Sequence, residues 1–139
     1  MPTPYEDLYA AAVAIVDTGA TFESAPTNFD TDFRLTAAVY TYQVRIQPLP
    51  PRVLSNQTYP RAAITIDIHY PLTTFATEKT FAHSIIYTAS ALLFDHAQWE
   101  AEAGVYGFDL DEEPEMDEGA REGNVISFTF TAVVLMDPV

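Results

Sequence analysis

Hydrophobic and polar positions alternate in two distinct rhythms along the first half of the chain. Apolar residues recur every three or four positions over 4–19, which predicts an amphipathic helix that ends near Gly19. Strict alternation over 40–46 and again over 64–70 predicts two half-buried strands. Because proline cannot donate a ladder hydrogen bond, the prolines of segment 48–60 are expected to stop the first strand and open a loop.

The second half of the chain repeats this order. A second helix is predicted over 77–99, followed by a short strand over 105–110, a long acidic loop to Gly123 and an alternating strand over 126–134. The elements run helix, two strands, helix, two strands. We therefore expect one α+β domain over 1–139, a two-layer sandwich in which two helices pack against a mainly antiparallel four-stranded sheet.

Composition excludes several classes of protein. The hydrophobic content of 48% argues against intrinsic disorder, and the absence of cysteine excludes disulfides, thiolate nucleophiles and thiolate zinc sites. A net charge of -14 argues against a surface that holds nucleic acid by its phosphates. The longest uncharged stretch, 80–94, is too short to span a bilayer, and the chain opens without a secretory pattern. A protein made in the cytoplasm is the expectation.

The charge is unevenly distributed along the chain. Residues 95–139 contain 12 acidic side chains and a single base, Arg121, whereas residues 34–79 carry a charge of +3. Copies of such a molecule could dock the basic part of one to the acidic part of the next. The arginines predicted for such contacts are Arg34, Arg45, Arg52 and Arg61.

Seven carboxylates lie within the ten residues from Asp109 to Glu118. An EF-hand is excluded because its sixth position requires glycine, and Pro114 stands there. The simplest interpretation is a solvated loop tip. A functional alternative is the wall of a channel through a ring of subunits, where like charge keeps DNA from adhering. The candidate lining residues are Asp109, Asp111, Glu112, Glu113, Glu115, Asp117 and Glu118.

The second predicted helix carries aromatic residues on two sides. Tyr87 and Phe94 lie beside His83, almost opposite the expected core face. Exposed aromatic residues at helical spacing suggest a contact between subunits. Alternatively, the proline-rich segment folds over them within the same chain.

Two groups of polar residues are candidates for a catalytic or metal site. His96 and Glu100 have the spacing of half a metal site, but no second histidine pair completes it, so a solvated helix end is the simpler interpretation. Asp67 and His69 face the same side of one strand, and beside Arg45 they could orient a general base. A cross-strand charge pair is the simpler interpretation there. We predict no catalytic residue, metal ligand or cofactor.

Three segments carry a resemblance to a known family. They are Val16-Asp-Thr-Gly-Ala-Thr-Phe22 after the first helix, Pro71 before the long helix, and the strand and acidic loop of 104–118 before the final strand 125–136. In order and spacing they resemble the tail terminator proteins of long-tailed bacteriophages. The proline-rich segment departs from that family's layout and could form an additional subunit contact.

The resemblance implies a structural virion protein, not an enzyme. Such a protein forms a homo-oligomeric ring, typically a hexamer, that caps the tail tube, stops its polymerisation and offers a docking surface to the head-tail connector or neck protein. The resemblance also implies location in the virion tail after assembly in the host cytoplasm, with no membrane contact. DNA would pass through the ring without specific binding.

Two functions from other classes remain open. One is a DNA-mimicking inhibitor of a nucleic-acid-binding protein, which would spread carboxylates over much of its surface. The other is a small-ligand enzyme that uses Asp67, His69 and Arg45. Loss of activity in His69→Ala without loss of assembly would favour the enzyme.

Overall fold

A computed structural model of the protein describes residues 3–19, 41–71, 87, 90–118 and 125–138. The described chain belongs to the α+β class, as predicted, and its strand pairings are antiparallel. It contains five strands, one more than the four expected. Tyr87 and residues 90–93 are also helical. The elements with defined bounds are α1 (Pro4–Gly19), β1 (Thr41–Leu54), β2 (Gln57–Pro71), α2 (His96–Glu100), β3 (Val105–Phe108), β4 (Glu115–Glu118) and β5 (Val125–Met136).

The strands form one sheet in which β2 and β5 are central. Their order is β1-β2-β5-β3, and β4 also pairs with β5. Because a strand has only two edges and β2 occupies one of them, β3 and β4 share the other edge of β5. β3 pairs with the end of β5 and β4 with its middle. Within the described sheet, β1 forms one edge, and β3 and β4 form the other.

The proline-rich segment belongs to the β1–β2 hairpin, so the prediction that Pro48 ends the first strand is wrong. β1 continues to Leu54 and β2 begins at Gln57. As an edge strand of the described sheet, β1 forms a ladder on one side only, which lets it accept proline. A register shift between Leu49 and Arg52 places the next two prolines in a bulge, where proline is also tolerated.

A two-residue turn joins the strands of this hairpin. Leu54 pairs with Gln57, which leaves only Ser55 and Asn56 between the strands. Both have positive φ, 49° and 65°. Two successive left-handed residues match the type I′ turn, whose twist suits a hairpin. The long loop expected in this segment is therefore a tight turn.

The helix predicted to run to Trp99 is interrupted before it. The helical residues 90–93 end in a turn at Phe94, and α2 begins after Asp95. Asp95 has an extended backbone, and its Oδ1 accepts a hydrogen bond of 3.0 Å from the N–H of Ala97. Aspartate stabilises a helix start more than a helix interior, which explains the break at this residue.

β4 lies within the segment predicted as an acidic loop to Gly123. Met116 is half-buried against the core and pairs with Phe130 of β5. A single apolar residue among carboxylates anchors this short strand, and one residue is too little to produce a visible alternation. The remaining residues, 119–124, lie outside the described part of the chain.

The hydrophobic core combines the apolar stripe of α1 with the alternating apolar residues of β2 and β5. Burial of each large aliphatic side chain there stabilises the fold by about 1.5–3 kcal/mol. Trp99 of α2 is completely buried, and its indole N–H donates to the carbonyl of Leu93 at 2.8 Å. Fully buried core residues include Leu8, Val16, Ile64, Ile66, Ile68, Phe130 and Val134.

Several predicted features lie outside the described residues. They include Arg34, His83, the side chain of His69 and the predicted start of the second helix at Thr77. In the part that is described, no helix is both long and apolar enough to cross a membrane.

Candidate functional site

The face of the sheet opposite the core carries the polar residues that alternate with the core strands, and we call it the polar face. At its centre, Asp67 accepts hydrogen bonds from Arg45 at 2.5 Å and from the hydroxyl of Thr129 at 2.8 Å. Asp67 lies directly opposite Thr129 in the register of β2 and β5. The strands therefore bring Arg45 beside Asp67 as predicted, in the geometry of a cross-strand charge pair.

A second ion cluster surrounds Asp109, which follows β3. Its side chain is completely buried, although the sequence analysis placed it among exposed loop carboxylates. One carboxylate oxygen accepts from Arg52 and from the N–H of Asp111, the latter at 3.1 Å. The other accepts from Arg61 at 3.1 Å. Asp109 is therefore a buried structural anchor, in contrast to the exposed carboxylates of the same segment.

The bulged hairpin brings these arginines to Asp109. Arg52 lies on β1 and Asp109 beyond β3, three strand spacings away, or about 14 Å in a flat sheet. Tyr59 of β2 spans the same region, because its ring lies 4.7 Å from the ring of Tyr106 on β3. We infer that the bulge after Leu49 bends the end of the hairpin across the polar face. The two arginines then close onto Asp109.

Two ionisable groups in this region have shifted pKa values. Burial raises the pKa of Asp109, but the Asp111 N–H, the hydrogen bond from Arg61 and the charges of both arginines outweigh it. The pKa of Asp109 is therefore below its ordinary 3.8. The pKa of Tyr59 is raised above its ordinary 10.0, mainly by burial and to a smaller extent by Tyr106 and Asp137. At neutral pH Asp109 is charged and Tyr59 is protonated.

Three of the arginines predicted for contacts between copies already have partners within the chain. Arg45 pairs with Asp67, Arg52 with both Asp109 and Asp111, and Arg61 with Asp109. Folding thus brings basic residues of the middle of the chain against acidic residues of its last third. The uneven charge seen along the sequence is partly cancelled within one molecule.

The remaining carboxylates of the acidic segment are exposed. We call them the acidic edge, because they lie on or just before β4 at the border of the described sheet. Asp111 pairs with Arg52 at 2.6 Å, yet its side chain remains 73% exposed. Like charges at this density repel one another and any phosphate backbone. The members of the acidic edge are Asp111, Glu112, Glu113, Glu115, Asp117 and Glu118.

Within the described ranges, His96 and Glu100 have no third residue beside them that completes a metal site. The His96 ring packs edge-on against Phe108, with ring centroids 4.7 Å apart. Among the described residues, no group of three or more histidine, aspartate or glutamate side chains is arranged to hold a metal ion.

The two aromatic residues predicted at a subunit contact differ in their surroundings. Tyr87 is 76% exposed, as an interface residue in a free subunit would be. Phe94 is 37% exposed, and its ring packs edge-on against Phe130 with centroids 5.3 Å apart. Phe94 therefore contributes to the core as well as to the surface, because the break before α2 turns it away from the direction expected of a continuous helix.

Sequence reasoning missed a pocket between α2 and the acidic edge. It has a volume of about 370 Å³ and an aromatic wall formed by Phe94, His96 and Phe108. Glu112 and Glu113 form its rim together with Leu110, which is 82% exposed. The one signal in the sequence was Leu110 itself, an isolated apolar residue in an acidic run.

No protein-family model matches the chain, and no curated protein matches its sequence.

Proposed function

We propose that the protein is a structural virion component, a tail terminator or closely related head-tail connection protein of a long-tailed bacteriophage. It acts as a homo-oligomeric ring, most simply a hexamer, in the virion tail. Each subunit contributes a two-layer α+β sandwich in which the helices cover one face of the sheet. The resemblance in element order and spacing motivates the family, and two features of the surface support it.

The acidic edge is the observation that carries the proposal. Six carboxylates are exposed along one border of the described sheet, and one of them, Asp111, pairs with Arg52. A ring that presents this border inward has a channel wall that repels phosphate, so DNA passes without binding. Such a concentration of like charge opposes association at this border but is useful in a conduit.

Subunit contacts are assigned to the aromatic side of the helical segment before α2. Tyr87 is the best-exposed aromatic residue of the described chain. Exposed tyrosines are frequent anchors of protein interfaces because they bury a large area at small entropic cost. Phe94 is a further candidate for this contact, and the predicted contact residues His83 and Arg34 lie outside the described residues.

The mechanism is one of capping. The ring binds the last ring of the polymerising tail tube protein and blocks further addition. Its opposite face then receives the head-tail connector or neck protein. No step requires a catalytic residue, metal or cofactor.

Light scattering and negative-stain microscopy test the ring directly. We expect the purified protein to form rings of about six copies and to bind the ends of tail tubes. In Tyr87→Asp, a buried charge replaces an aromatic anchor, and a loss of about 2 kcal/mol per contact should leave folded monomers. Tyr87→Phe is the matched control, because it keeps an aromatic ring at the same exposed position without adding a charge.

Two results would contradict the proposal. One is a wild-type protein that stays monomeric and ignores tube ends at every concentration used. The other is a Tyr87→Asp variant whose mass in solution is unchanged. This result would show that Tyr87 does not form the contact between subunits.

A further inference from the structure

The pocket between α2 and the acidic edge places an aromatic wall, which the ring proposal does not use, beside two carboxylates of the acidic edge. Its wall is aromatic and its rim is acidic. Glu112 and Glu113 are exposed, and neither has an ion-pair or side-chain hydrogen-bond partner among the described residues. We propose that this pocket binds an arginine or lysine side chain of a basic partner protein.

The aromatic wall favours a cation with an aliphatic stem. Phe94 offers a partly exposed ring, which is itself held edge-on by Phe130. A cation over a ring face is attracted by the ring's quadrupole, and the methylene groups of arginine or lysine pack on apolar surface. Leu110 extends that apolar surface at the rim. A small inorganic cation has no methylene groups to pack on this apolar surface.

The rim is held in place before any ligand arrives. Asp109 is locked by Arg52 and Arg61, and it accepts the N–H of Asp111. Its backbone carbonyl accepts the N–H of Glu112 at 3.0 Å. The turn that carries both rim glutamates is thus anchored to a buried carboxylate, and a preorganised site loses less entropy on binding.

Charge selects the occupant. A second copy of this chain carries a net charge of -14 and is repelled by the acidic edge, whereas a basic protein is attracted. Within the chain, Arg45, Arg52 and Arg61 are already engaged with Asp67, Asp109 and Asp111. The three arginines of the described residues are thus occupied, and a basic side chain of a different protein fits both the wall and the rim.

Nuclear magnetic resonance of the full-length chain can test this site with a defined probe. The probe is a capped Ala-Arg-Ala peptide, and its control is the same peptide with citrulline, which keeps the shape of arginine but has no charge. We expect the arginine peptide to shift, saturably, the amide signals of 94–96 and 108–114. The citrulline peptide should leave them unchanged.

Matched variants separate the pocket from general attraction to acid. The double variant Glu112→Gln, Glu113→Gln should bind the arginine peptide about tenfold more weakly, because both rim charges are lost. The double variant Glu115→Gln, Asp117→Asn removes the same charge from β4, outside the pocket. Its affinity for the arginine peptide should fall by less than about twofold. Phe94→Leu should weaken binding without unfolding the chain, since an apolar side chain still packs against Phe130.

Three outcomes would overturn the proposal. An equal loss of affinity in the two charge variants would mean that the peptide is attracted only by the overall negative charge of the protein. Equal binding of the citrulline peptide would mean that charge is not recognised. Pocket signals that shift with protein concentration in the absence of peptide would mean that a second copy fills the pocket. The first two outcomes do not depend on whether the protein forms a ring on tail tubes.

Discussion

Asp67 and Asp109 lie on the same polar face of the sheet, and each binds an arginine from β1, but water reaches the two pairs very differently. At Asp67 the arginine side chain is 53% exposed, and the second partner is a threonine hydroxyl. At Asp109 the carboxylate is fully buried between two arginines that are 31% and 26% exposed. Screening by solvent weakens the first pair, whereas loss of the buried carboxylate would leave Arg61 without a counter-charge and Arg52 with only the exposed Asp111.

The comparison also separates two uses of an ion pair. Asp67 joins neighbouring strands that the backbone ladder already holds together. Asp109 joins the bulged end of the hairpin to the opposite edge of the sheet, which no ladder connects in the described structure. We therefore expect substitutions of Asp109 to disturb the packing of the hairpin on the opposite edge of the sheet. Substitutions of Asp67 should leave the strand pairing intact.

The largest effect is expected for Asp109→Ala. The substitution removes the counter-charge of Arg61 and leaves Arg52 with only the exposed Asp111, and removal of one partner from a buried pair is costly. Because both arginines are partly exposed, we expect a loss of about 2–3 kcal/mol in the free energy of unfolding. Urea denaturation followed by the fluorescence of Trp99, the only tryptophan, measures it.

Asp111→Asn is the control for this change. Asp111 also pairs with Arg52, but it is mostly exposed, so its replacement should cost less than about 1 kcal/mol. Equal losses in the two variants would contradict the distinction between a buried anchor and a solvated pair.

Acid unfolding gives the second and smaller test. Because the folded pKa of Asp109 is depressed, its contribution to stability is present above the unfolded value of 3.8. This contribution is lost as the pH falls through the folded pKa. Wild-type protein should therefore lose stability more steeply than Asp109→Asn as the pH drops below about 4. Parallel curves for the two proteins would show that Asp109 does not contribute through its charge.

The contrast between these aspartates explains what could be predicted from the sequence. The Asp67 pair was foreseen because alternation places Asp67 on the polar face, and two neighbouring strands bring Arg45 beside it. Asp109 was assigned to an exposed loop because its partners are distant in sequence. Arg52 is 57 residues away, and it reaches Asp109 only through a bulge within a proline-rich segment.

Other local signals were outweighed by tertiary context. The prolines of β1 favour a loop on average, but an edge strand with a bulge accommodates them. The helical periodicity through Trp99 was real, yet a single aspartate in a capping position divided it at Asp95. The candidate pocket arises from that division, because it places Phe94 and His96 opposite the turn that follows Asp109.

The smallest effect is expected at the exposed pair, and a double-mutant cycle over Arg45→Ala and Asp67→Ala isolates it. The coupling free energy should be about 0.5 kcal/mol, because solvent surrounds the guanidinium. Added salt should reduce it further, since exposed charges are screened within about 10 Å at 0.1 M ionic strength. The Asp67→Ala single variant should cost more than Arg45→Ala, because it also leaves the hydroxyl of Thr129 without its acceptor. A coupling as large as the loss in Asp109→Ala would mean that burial does not distinguish the two aspartates, and the polar face would then act as one electrostatic unit.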